Sequence, residues 1–213
     1  MKKVIASLTI LVAGLIGGAA QLFSMFVPAP VGNSVIAEKS ENGRVGNQAA
    51  KVLPANMTAK QHQLLNLAAE VAQENQLRSP ELVQAVLLQE THAGGVASYR
   101  VANAGPDAYF GAMQIKLSAA KDVLATWPSM FSKYSFHTRT DDEIKANLIL
   151  NDRFNLDVGT KYLIILRQRY GFSGRDLMNA YNRGPGGVKT VDSADFHYAI
   201  GAEAKLAAFK QRK

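Results

Sequence analysis

Apolar residues recur at three- and four-residue spacing over most of the chain beyond residue 58, and this pattern predicts a succession of helices. Thr58 and Gln61 form a capping box ahead of Leu64, Leu67, Ala68, Val71 and Ala72. Ser79, Pro80 and Glu81 mark a second start, with proline in the first turn and an acid near the positive end of the helix dipole. Thr140 and Glu143 mark a third. An apolar-rich run over 153–170 ends at Gly171, a residue suited to a left-handed C-cap, and Ser173 opens a helix that stops near Gly184. Over 199–213, Ala202, Leu206 and Phe209 share one face, and Glu203, Lys205 and Lys210 fall on others. Alternating runs joined by hairpin turns are missing, so the expected fold is mainly α, with at most minor extended pieces near 108–115 and 138–141.

The start of the chain follows a different pattern. After Lys2 and Lys3, residues 4–37 carry no ionisable side chain, and a basic start followed by an apolar stretch and small residues reads as a secretory signal peptide. Residues 4–27 are also long enough to cross a bilayer, which needs ~20 residues, so an uncleaved inner-membrane anchor is the alternative. Either places the bulk of the chain in the periplasm or cell envelope, and the two lysines favour an N-terminus on the inner side. Residues 28–57 are polar, punctuated by proline and glycine and without a period, as a flexible linker would be. The expected organisation is a signal peptide or anchor over 1–27, a linker over 28–57 and one folded domain over 58–213.

Composition narrows the chemistry. The 213 residues include no cysteine, which removes disulfides, thiolate nucleophiles and cysteine zinc sites. The four histidines are scattered and no His-Glu-x-x-His occurs, so neither a metal nor another cofactor is expected. The formal net charge is +7, and two of those charges are Lys2 and Lys3. This modest basic bias suits any polyanion and names none. Nucleic acid is not an expected partner, because no basic stripe with interleaved aromatics accompanies the charge and the export segment leads away from it.

Three segments carry candidate chemistry. Glu90 stands seven, four and three positions after Val83, Val86 and Leu87, on their apolar face and in the last helical turn before Gly94 and Gly95. Partial burial and the negative end of the dipole both raise a carboxyl pKa there, which favours a general acid. A lone glutamate is more often exposed, so Glu90 needs support from its surroundings. The second segment is YFGAMQI at 109–115, where Gly111 permits close backbone approach, Gln114 offers an amide and the aromatics offer stacking faces. The third is LMNAYNRGPGGV at 177–188, where Tyr181 and Asn182 end a helix that runs into a Gly-Pro-Gly-Gly turn, with the Tyr181 hydroxyl available to a buried carboxyl. Taken singly, each of the latter two also reads as ordinary core packing and turn chemistry.

In order and wording these segments resemble the catalytic domain of the soluble-type lytic transglycosylases, a family with the goose-type lysozyme-like fold. The matching pieces are Glu90-Thr91, Gly111-Ala112-Met113-Gln114-Ile115 and Ala180-Tyr181-Asn182-Arg183-Gly184-Pro185-Gly186, and Asn155, Gly159, Tyr162 and Leu163 resemble the helix that precedes the third motif. The resemblance covers roughly residues 64–188. Thr91 stands where the family has serine and Ala112 where it has leucine, and the stretch between Glu90 and Gln114 is longer than usual.

The resemblance implies a compact lysozyme-like helical domain that cleaves the β-1,4 bond between N-acetylmuramic acid and N-acetylglucosamine in peptidoglycan strands and leaves a 1,6-anhydromuramoyl end. Glu90 would act as acid and then base, Tyr181 would hold it, and Thr91, Gly111, Met113, Gln114 and Asn182 would serve substrate binding. The short architecture with an export segment suits an enzyme that opens the wall for an envelope-spanning or phage apparatus. Two alternatives remain open: a hydrolase on the same fold, with water and a second acid such as Asp107, and a non-catalytic glycan-binding scaffold.

Overall fold

The computed structural model describes residues 56–95, 101–102, 108–188 and 197–212, all within one compact unit, Ser40–Lys213. The leading segment, most of the expected linker and Asp107 lie outside the described residues. Among the described residues the elements follow as α1 (Ala59–Glu74), α2 (Pro80–Thr91), β1 (Val101–Ala102), β2 (Tyr109–Phe110), β3 (Ile115–Lys116), α3 (Leu117–Thr126), α4 (Ser129–Lys133), α5 (Asp141–Leu150), α6 (Asp152–Tyr170), α7 (Gly174–Arg183), α8 (Pro185–Val188) and α9 (His197–Lys210). The protein is mainly α, with one small antiparallel sheet in the order β1-β2-β3 that pairs Val101 with Phe110 and Phe110 with Ile115. No helix among the described residues is long and apolar enough to cross a membrane.

Local chemistry fixes several helix ends. The Thr58–Gln61 capping box is complete, and the Gln61 amide also donates to the His92 carbonyl at 2.7 Å, which ties the start of α1 to the end of α2. Thr140 caps α5, Asn151 caps α6, and Gly171 closes α6 in the left-handed region at φ 75°. Ser79 and Ser173 sit at N-cap positions without a side-chain capping bond. Two expectations are corrected here. Residues 138–141 form no strand: the Glu143 carboxylate accepts from the backbone N–H groups of His137, Thr138 and Arg139, which leaves a loop wrapped on one acid. Lys205, expected off the apolar face of the last helix, is buried at 7% exposure.

The centre of the domain is α6, where every residue from Phe154 to Thr160 is buried. A helix covered on all sides loses the one-sided apolar stripe of a surface helix and must place polar residues inside. Asp157 is one such residue. Its carboxylate accepts from Asn75 Nδ2, Lys133 Nζ and Tyr134 Oη, each at 2.8 Å, and from Lys161 Nζ at 3.3 Å. Burial pushes its pKa up, but these donors overcome the effect and hold it below the usual value.

Asn155, on another face of α6, is completely buried. Its Nδ2 donates to the carbonyls of Phe110 at 2.9 Å and Leu148 at 3.1 Å, and its Oδ1 accepts from Met113 N–H at 2.8 Å. Gly111 packs against this amide: a Cβ there would lie 2.2 Å from Asn155 Nδ2 and from the Leu148 carbonyl, and its φ of 72° also favours glycine. Asn155→Ala strands three buried backbone groups and should lower the unfolding free energy by about 3 kcal/mol or more, read as a fall in the urea midpoint. An unchanged midpoint would show that the loop satisfies its backbone by another route.

Candidate active site

The three candidate segments converge on the end of α2. Thr91, the last residue of that helix, donates its hydroxyl to the Ala112 carbonyl at 2.8 Å and accepts from Gly94 N–H at 3.0 Å. Tyr181, on α7, donates its hydroxyl to the Met113 carbonyl at 2.9 Å. Gln114, at the left-handed φ of 48°, folds its amide back onto the Gly111 carbonyl at 2.7 Å. The Gly111–Gln114 turn is therefore held by side chains from α2, α6 and α7 that bind its main-chain atoms.

That geometry changes the roles expected for several residues. Thr91 and Met113 are buried, with Met113 packed on Gly159 of α6, and Gly111 is buried against Asn155. These three shape the turn from beneath, and their side chains present no surface to a ligand. Gln114, Tyr181 and Asn182 do line a surface cleft of about 330 Å³, together with Tyr109, Tyr162 and Tyr170. Lys116 and Arg183 add positive charge to its walls. The rings of Tyr162 and Tyr181 meet edge to face at 5.7 Å. Four phenol rings with amides and hydroxyls between them suit a polar ligand that has flat apolar faces, as a sugar has.

Glu90 is half-buried and is not part of this lining. Tyr181 connects the two: its ring forms cleft wall, and burial followed by the negative charge of Glu90 holds its phenol well above the ordinary value. The hydroxyl bonded to Glu90 belongs to Tyr198, which donates to Oε1 at 2.6 Å. The bond expected from Tyr181 is thus made by Tyr198, because Met113 engages the Tyr181 hydroxyl. Tyr198 went unread because the final helix was expected to begin at Ala199, whereas it begins at His197. The signal was available in the spacing: Tyr198, Ala202, Lys205 and Phe209 fall at intervals of four, three and four, one face of a helix.

Burial pushes the Glu90 carboxyl up to about 7, and the Tyr198 hydrogen bond and the Lys205 charge pull it back down without cancelling the rise. Near neutral pH the group is divided between acid and base forms, which suits it to give a proton and take one back. His92, at the left-handed end of α2, has its pKa lowered by burial and then by Lys205. Among the described residues no group of three or more histidines and acids is placed to hold a metal ion.

No protein-family model matches the chain, and no curated protein matches it.

The raised pKa carries a stability cost of definite sign. Between 4.5 and about 7 the folded chain keeps a proton on Glu90 that the unfolded chain has lost, so stability falls as pH rises through that window. Glu90→Gln removes the cost and keeps an oxygen for Tyr198. At pH 8 the variant should exceed the parent by up to about 3 kcal/mol, and the gap should close below pH 4.5. Urea unfolding at the two pH values checks this; a gap of the same size at both would mean that Glu90 titrates normally.

Proposed function

We propose that this domain is a peptidoglycan lytic transglycosylase with Glu90 as its acid and base. One observation carries the reading: a half-buried carboxyl with a pKa of about 7 stands at the junction of the three motif segments, bonded by a tyrosine at 2.6 Å. The mainly helical fold and the tyrosine-lined cleft, whose Tyr181 feels the Glu90 charge, support the same reading.

In the first step Glu90 donates its proton to the glycosidic oxygen, the C1–O bond breaks, and positive charge develops on the muramoyl ring. The sugar's own acetamido oxygen closes on C1 and relieves that charge, so no second carboxylate is required. In the second step the Glu90 carboxylate takes the proton from the C6 hydroxyl, whose oxygen attacks C1 and displaces the acetamido oxygen. No water is consumed, and the product is a 1,6-anhydro ring. Tyr198 occupies Oε1, which leaves Oε2 to carry the transferable proton. Gln114, Tyr181 and Asn182 line the groove for the strand, while Thr91, Gly111 and Met113 fix the shape of its edge. Exported or anchored by its leading segment, such a domain acts at the cell envelope, and its short architecture fits an enzyme that opens the wall for a larger apparatus.

Glu90→Gln should reduce release of anhydromuropeptides from purified sacculi at least a hundredfold, on the order of what a positioned acid and base contribute. Tyr198→Phe should lower turnover roughly tenfold, the equivalent of one hydrogen bond to a charged group at ~1.5 kcal/mol. Mass spectrometry of the released fragments reads both. Cleavage by the Glu90→Gln variant would remove the assignment, reducing ends in place of anhydro ends would make the domain a hydrolase, and binding of sacculi without release would make it a scaffold.

A further inference from the structure

We infer that Lys205 is a positioning residue for the proton cycle of Glu90: an ammonium buried at the end of α2 stabilises the carboxylate left behind when the proton departs. The inference rests on the reading of Glu90 as the acid and base. Lys205 follows Tyr198 by seven residues, two turns along α9, so both stand on the face packed against α2. Its Nζ donates to the Gln89 carbonyl at 3.3 Å, at the C-terminal end of a helix whose last turn has no basic residue. A cation in that position meets the negative end of the α2 dipole, the same end that disfavours a charged Glu90. Lys205 thus counters the two effects that oppose the anion, burial and dipole, and does so through space, while Tyr198 makes the direct bond.

The influence is mutual. Burial lowers the pKa of Lys205, and the Glu90 charge raises it again, so the ammonium is favoured when the carboxylate appears. Among the described residues, the other titratable groups on these elements do not offer a charge of this kind. From α7 comes Tyr181, and from α9 Tyr198, both phenols held in the neutral form by burial. His92 closes α2 itself, with its pKa lowered. On α1, His62 lies against the Phe209 ring, while Glu70 and Glu74 pair with Arg153 of α6. Also on α6, Asp157 is engaged by Lys133 and Lys161, and Tyr162 by the Tyr181 ring.

The test is a direct titration of Glu90 by the pH dependence of its 13C carboxyl resonance, assigned by its loss in Glu90→Gln. Lys205→Met keeps the stem and deletes the charge, and Lys205→Gln does so with a polar end. In each variant the Glu90 midpoint should move upward by about one pH unit, with the alkaline limb of any glycan-cleaving rate following it. An unmoved or lowered midpoint in either folded variant overturns the inference, as does failure of both to fold, which would make Lys205 a folding residue. Sacculus cleavage surviving in Glu90→Gln would refute the proposed function alone, because the titration reads the Lys205–Glu90 coupling without any substrate.

Discussion

The turn from Gly111 to Gln114 is buried over its first three residues but lies between two strands of only two residues each, so regular structure cannot satisfy most of its backbone. Every buried N–H and C=O needs a partner, and here side chains supply them. Asn155 takes Phe110 and Met113, Thr91 takes Ala112, Tyr181 takes the other side of Met113, and Gln114 takes Gly111. The rest of the candidate site depends on this constraint. It draws the ends of α2 and α7 and the middle of α6 to one point, so that Tyr181, a cleft residue, comes within the influence of the Glu90 charge. Thr91, Asn155 and the Tyr181 hydroxyl are thereby explained by folding, without contact with a ligand.

Two carboxylates show how surroundings separate an acid held ionised from one that titrates near neutrality. Asp157 is the more deeply buried, yet four donors converge on it and keep it ionised. Glu90 is only half-buried but has, among the described residues, one hydrogen bond and one charge acting through space, which leaves the desolvation largely unanswered. Counting donors, not burial, predicts which of the two exchanges protons near neutrality.

Much of this was legible in the sequence wherever the governing chemistry is local. The capping box at Thr58, the cap at Thr140 and the left-handed Gly171 each depend on residues within a turn of one another, and the helices they bound stand where expected. The partial burial of Glu90 was suggested by spacing, since three apolar residues on its own helix define the face it shares, but only together with the other two segments did it outweigh the usual exposure of a glutamate. Tyr198 and Lys205 were not legible, because what buries them is α2, more than a hundred residues earlier. In a helix rich in alanine the apolar stripe is faint, and a lysine within it looks like solvent-facing charge. Asp157 was hidden for the same reason: its partners come from α1, α4 and its own helix.

The half-open position of Glu90 has a thermodynamic corollary for whatever lies across it. A neutral chain laid over the carboxyl completes its removal from water, which favours the protonated form further and draws hydrogen ions from the buffer as the complex forms. Ligand affinity and acidity are then linked variables, and the grip on an uncharged polymer tightens as the medium around the protein becomes more acidic.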